Sequence, residues 1–169
     1  MAPTKEMLKI AIKHKPSFVC IVPEKRKEIT TEGGLNIKKK KNLIKKIIKK
    51  LKHNKIRVSL FIEPKISDII ISKEIGADCV ELHTGEFCNL FNQNKNIKNS
   101  FINLKRTSMY AKNNGLEVHA GHGLTYRSSY KVSRIDSISE FNIGHFIVSD
   151  SIFIGLNKSI KKFIKIINS

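Results

Sequence analysis

Two glycine-flanked histidines carry the densest chemical signal in this sequence. The run Val118-His119-Ala120-Gly121-His122-Gly123-Leu124-Thr125-Tyr126 passes from an apolar lead-in into a Gly-His-Gly turn. Glycine on either side clears His122 of neighbouring side chains and lets backbone N–H groups approach a ligand closely. Imidazole titrates near neutrality, so His122 is placed to donate or accept a proton. Gly144-His145 follows at the spacing of one strand–loop–helix repeat. The pair precedes the last helical pattern, and a helix N-terminus offers unpaired N–H groups and a positive dipole end to a phosphate. A tight turn that merely needs glycine accounts for the same pair equally well.

Glu81 interrupts an otherwise apolar strand pattern. It is either a buried acid paired with a neighbouring Lys or Arg, or an acid–base group facing a site. His119 and His122 are three apart, a metal-ligand spacing on a helix but not on a strand entering a turn, and no HExxH surrounds them. No metal site is expected from them, and His119 is assigned to the core. Gly33-Gly34 lacks a phosphate-loop context, and no Ser or Cys occupies a nucleophile motif. Cys20, Cys79 and Cys88 are odd in number and lack a CxxC spacing, so they read as reduced thiols without a zinc site.

The elements that position these residues alternate. Helices are predicted at 5–14 (with Thr4 as N-cap), 36–53, 67–75, 94–114 and 146–167, with a short helical segment at 128–134. Strands are predicted at 18–22, 56–62, 78–82, 116–120 and 140–143. The first is a continuous apolar run and is expected to be buried on both faces. In the others, Val58, Leu60, Ile62, Val80, Leu82, Leu116, Val118 and Ala120 fall on one face. Ser59, Phe61, Cys79, Glu81, His83, Glu117 and His119 fall on the other. One aliphatic face and one polar face favour part of a (β/α) barrel, with sites at the C-terminal rim, over a doubly wound sheet. Residues 1–169 read as one α/β domain. Five strands do not close an eight-stranded barrel.

Composition narrows the partners. The formal net charge is +18. Ten Lys and Arg57, with no acid, lie between Asn36 and Arg57, so this amphipathic helix and its exit supply +11 of it. No aromatic residue interleaves the lysines to stack on bases, which favours a solvated helix face over a nucleic-acid surface. No apolar run is long enough for a membrane span, and residues 1–6 contain no apolar signal core. A cytoplasmic location is the expectation.

Several segments together resemble the pyridoxine 5'-phosphate synthase family. They are Val22-Pro23-Glu24-Lys25-Arg26 with Thr30-Thr31-Glu32-Gly33-Gly34-Leu35, Val58-Ser59-Leu60-Phe61-Ile62, Glu81-Leu82-His83-Thr84-Gly85, the Gly-His-Gly run, and Asn142-Ile143-Gly144-His145. Their order and spacing match the family over nearly the whole chain. The resemblance implies a TIM barrel in vitamin B6 biosynthesis. Its reaction condenses 3-amino-2-oxopropyl phosphate with 1-deoxy-D-xylulose 5-phosphate, giving pyridoxine 5'-phosphate, phosphate and water. It further implies phosphorylated small-molecule substrates, no metal or organic cofactor, and a homo-octamer. By matching motifs, Thr30 would contact the deoxyxylulose phosphate, Glu81 would stabilise the transition state and His122 would be the proton donor. Gly123, Gly144 and His145 would bind the amino-oxopropyl phosphate.

The sequence also departs from the family pattern. Asp150 stands where members often carry a basic residue, and Arg127-Ser128 replaces an asparagine-containing sequence. The match begins after the family's third strand, so the chain is expected to supply strands 4–8. The first three strands bear further acid–base groups. The isolated chain is therefore expected to be inactive or nearly so, with exposed sheet edges. It would be completed by a separate N-terminal polypeptide, or be a non-catalytic remnant. A basic nucleic-acid-binding module is the remaining alternative, and would show steep salt dependence.

Overall fold

The computed structural model describes residues 1–23 and 33–169. Helix α1 (Lys5–His14) starts where Thr4 Oγ1 accepts from the Met7 N–H at 3.1 Å, and ends at Lys15 in the left-handed region. It buries Leu8 and Ala11 but leaves Ile10 exposed. Strand β1 (Phe18–Ile21) follows, then α2 (Ile37–His53), whose N-terminus is capped by the Asn36 side chain. Along α2, Ile44, Ile47, Ile48 and Leu51 form the buried stripe that its spacing predicts, while Leu43 lies off it and is exposed.

Three further units repeat the plan: β2 (Arg57–Ile62) with α3 (Ile66–Glu74), β3 (Cys79–His83) with α4 (Gly85–Asn92) and α5 (Lys98–Asn113), and β4 (Glu117–Gly121) with α6 (Tyr126–Val132). Strand β5 (Glu140–Asn142) leads into α7 (His145–Ile154) and α8 (Leu156–Ile167). Each strand pairs in parallel with the next in sequence, giving the order β1-β2-β3-β4-β5. A doubly wound sheet reverses its order at a switch point; a barrel does not. The molecule is an α/β half-barrel.

Val58, Leu60, Ile62, Val80, Leu82, Val118 and Ala120 are buried in one apolar cluster with Ile44, Ile48, Leu51, Ile69 and Leu104 from the helices. Each Val, Leu or Ile side chain among them contributes roughly 1.5–3 kcal/mol of burial. Ser59, Phe61, Cys79, Glu81, Glu117 and His119 take the opposite face, in the alternation the sequence predicts, and Cys20 of β1 joins them.

Three expectations change. Strand β1 is not buried on both faces, since Phe18 and Cys20 lie half-buried on the concave side. The helix predicted at 94–114 starts later, and α4 precedes it directly after β3. The predicted terminal helix is two, broken at Gly155 with φ +83°, a conformation that favours glycine. Among the described residues, no helix is long and apolar enough to cross a membrane.

Candidate active site

Strand register brings the glycine turns to one rim. Gly121 pairs with His83 on one side and Asn142 on the other, so His122-Gly123 and Gly144-His145 leave the ends of adjacent strands. His122 is held at φ +79°, unusual for a residue with a side chain, and Gly123 at φ +75°. Thr84 secures this turn. Its N–H donates to the Gly121 carbonyl at 2.9 Å, and its hydroxyl lies 2.8 Å from that carbonyl and 2.6 Å from the carbonyl of His122.

Glu81 points into the concavity from the middle of β3. Gly121 exists as glycine for its sake: a Cβ there would lie 2.1 Å from Glu81 Oε1. The half-buried Cys20 thiol donates to Glu81 Oε2 at 3.4 Å, and Asn142 is a second hydrogen-bonding partner. Burial pushes the Glu81 carboxyl above its ordinary value, and burial likewise pushes the Cys20 thiol up to about 12. A partner Lys or Arg, the structural alternative for Glu81, is not what surrounds it among the described residues. The carboxylate is desolvated but reaches the site, the environment in which a carboxyl exchanges protons away from its usual range.

A pair that the sequence did not single out supports the rim. Glu63, just beyond β2, accepts from the Gly34 N–H at 2.6 Å and lies 3.1 Å from His83 Nδ1. The His83 bond, more than the Gly34 N–H, holds the Glu63 carboxyl below its usual value. The His83 ring packs edge-on to Phe61 at 5.1 Å and lies 4.9 Å from the ring of His122. Among the described residues, His83 Nε2 is buried without a hydrogen-bond partner. The signal was present in the sequence: His83 shares the alternating face of Glu81, and Glu63 ends the preceding strand. Only the sheet register made them neighbours.

Of the other candidates, Thr30 lies outside the described residues. Gly123 faces Cys88, whose Cβ would be 3.1 Å from an added Cβ. Gly144 is open, with nothing within 4 Å of an added Cβ, and His145 opens α7 exposed to solvent. Asp150 finds a role in packing. It accepts from the Tyr126 hydroxyl at 2.5 Å, while that ring stacks near Phe163 and Phe146, so α6, α7 and α8 are tied together behind the rim. His119 and His122 diverge, the first towards Glu117 and Phe18, the second towards His83 and Phe61. His119 is buried as expected, yet among the described residues Nε2 alone is hydrogen-bonded.

A family model described as "Pyridoxal phosphate biosynthesis protein PdxJ" matches residues 1–169. The chain belongs to the PdxJ family. It is 52% identical over 164 residues to a pyridoxine 5'-phosphate synthase of Pelagibacter ubique (strain HTCC1062), covering 97% of this chain and 69% of that protein. A second relative of the same name, from Sulfurihydrogenibium sp. (strain YO3AOP1), is 46% identical over 99% of this chain and 68% of its own length. A third, from Zymomonas mobilis subsp. mobilis (strain ATCC 31821 / ZM4 / CP4), is 46% identical, and the chain covers 62% of it. The chain also shares its fold with a solved structure titled "Crystal Structure of Citrate Synthase SbnG". The TM-score is 0.55 at 10% identity, covering 98% of this chain and 70% of that one.

Proposed function

We propose that this chain forms the rim of a pyridoxine 5'-phosphate synthase site and contributes strands 4–8 of that barrel. The reaction is the condensation of 3-amino-2-oxopropyl phosphate with 1-deoxy-D-xylulose 5-phosphate. The observation that carries the reading is the Glu81 carboxylate seated against Gly121, one residue before His122 in its clamped turn. Imine formation, elimination and ring closure are successive proton transfers, and these two groups hold and move protons. His122 donates to the departing oxygen, and Glu81 offsets the positive charge that develops on nitrogen. Gly123 and the N-terminus of α7 at Gly144-His145 offer N–H groups to the phosphate of the amino-oxopropyl substrate. Thr30 contacts the other substrate.

The half-barrel leaves this rim open on the β1 and β5 sides, and the 169-residue chain alone is expected to show little or no turnover. Assembly with further copies fits the apolar side chains exposed on α7, among them Val148, Ile152 and Phe153. A chimera tests the whole reading: the part of the Pelagibacter relative outside the match is joined to this chain. The chimera should form pyridoxine 5'-phosphate from both substrates. Within it, His122→Ala should cut turnover by about 10²–10⁴-fold. A folded chimera without product, or one indifferent to His122→Ala, overturns the proposal.

A further inference from the structure

Below Glu81, at the opposite end of the concave face, three side chains converge that the proposed reaction does not use. We propose that Cys79, Glu117 and His119 form a binding site for a borderline-soft divalent cation of the zinc class. Cys79 and Glu117 are register partners across β3 and β4, and His119 lies two residues on, on the same face. One donor atom from each falls within 4.8 Å of the others. Thiolate, imidazole and carboxylate are the donor types that zinc takes, in a tetrahedral set with neighbouring donors about 3.3–3.8 Å apart. The pair His119 Nε2 and Glu117 Oε1, at 3.0 Å, is already close to that spacing.

Two observations point to a cation. First, the position between thiol and carboxylate already holds positive charge. Arg57 Nη2 lies 3.3 Å from Cys79 Sγ and 2.5 Å from Glu117 Oε2. Its side chain is 53% exposed, so it can swing into solvent and yield the place. Second, His119 is held in a way that a metal would complete. The buried ring lies between two carboxylates, with Nε2 3.0 Å from Glu117 Oε1, while Nδ1 makes no hydrogen bond among the described residues. Nδ1 faces Glu140 Oε1 at 3.4 Å. Coordination through Nε2 requires the imidazole proton on Nδ1, where it donates to Glu140. The result is the carboxylate–histidine–metal arrangement that orients ligating imidazoles. Cys79 binds as the thiolate and releases its thiol proton to solvent. Three protein donors leave a fourth position for water.

Metal-free protein titrated with Co²⁺ supplies the test. One equivalent per chain should give tetrahedral ligand-field bands and a thiolate-to-cobalt charge-transfer band, both removed by Zn²⁺. Cys79→Ser should abolish the charge-transfer band, and Cys20→Ser should retain it. Glu140→Gln should weaken binding by about 10–100-fold. Arg57→Ala, which removes only an exposed competitor, should tighten it by up to about fivefold. Far-UV circular dichroism establishes that each variant is folded; if Cys79→Ser is not, Glu140→Gln and Arg57→Ala decide. No thiolate band, a band that survives Cys79→Ser, or weaker binding by Arg57→Ala overturns the site.

Discussion

Two glycines at the rim are required for different reasons, and the difference is measurable. At Gly34 an added Cβ would lie 2.4 Å from the Glu63 nitrogen and 2.6 Å from the Ile62 carbonyl carbon, backbone atoms at the end of β2. At Gly121 the clash is with Glu81 Oε1, the free end of a flexible side chain. Gly34→Ala should therefore destabilise by about 1–3 kcal/mol, the usual cost of overpacking, in denaturant melts. Gly121→Ala should change the melting midpoint much less and instead abolish turnover of the chimera, because the carboxylate is turned out of place. Equal losses of stability in the two variants would remove the role given to Gly121. The two carboxyls respond oppositely to pH. Glu81 is raised above its ordinary 4.5 by burial, so the fold favours its acid form; its contribution to stability is full below 4.5 and is lost as pH rises through the raised value. Glu81→Gln should accordingly raise the melting temperature near pH 7 and lose that advantage in acid. Glu63 is lowered, chiefly by His83, so its contribution is present above 4.5 and fades as pH falls through the lowered value. Glu63→Gln should be the less stable variant at pH 7, with the gap closing in acid. The sequence marked Glu81 and His122 because an acid in an apolar strand and a histidine between glycines are local anomalies. It did not mark Glu63, whose meaning arises only from the Gly34 N–H and His83 that folding brings to it.

At the scale of elements, periodicity was readable where one face of a helix is decisively buried. Ile48 of α2 is 1% exposed and Leu43 is 44% exposed, although both belong to the same apolar spacing. Ile48→Ala should cost about 2–5 kcal/mol by leaving a cavity, and Leu43→Ala no more than roughly 0.5 kcal/mol, in urea melts of the two variants. Similar losses would mean that the stripe is not what fastens α2 to the sheet. The alternation of β2, β3 and β4 was equally plain, since each strand turns aliphatic residues to the helices and polar ones to the concavity. Helix limits were harder. Gly85 reads as a loop residue, yet it is the first residue of α4, packed so closely under His83 and His122 that an added Cβ would lie 2.7 Å from His83 Nε2. A close approach, not a turn, selects glycine there. Gly155 gave the reverse error, because one glycine inside a long apolar pattern does not by itself break a helix. Its φ of +83° does, and it lets α8 fold back so that Phe163 meets Tyr126 with ring centroids 4.4 Å apart.

For the whole molecule, two properties oppose each other. The formal charge of +18 keeps copies apart, while α7 exposes Val148, Ile152 and Phe153, the last two at 79% and 86%. Charge repulsion between surfaces is screened over about 8 Å at physiological ionic strength, whereas apolar attraction is not weakened by salt. Raising salt should therefore promote self-association of this chain in sedimentation velocity experiments. The double variant Ile152→Lys, Phe153→Lys should suppress that association while leaving the melting temperature nearly unchanged, since neither side chain is buried. The sign of the salt effect also separates this behaviour from nucleic-acid binding. A protein held to phosphates by lysines loses affinity steeply as salt rises, because the counterions released on binding are then less favourable to release. The lysines of α2 occupy its solvated face around a buried Ile and Leu stripe, with Lys41 paired to Glu74 and Lys52 to Asp78. That is the pattern of a helix kept soluble on its outer side. Association that strengthens with salt in the parent chain and disappears in the double variant would assign it to α7. Association that weakens with salt would assign it to attraction between opposite charges instead.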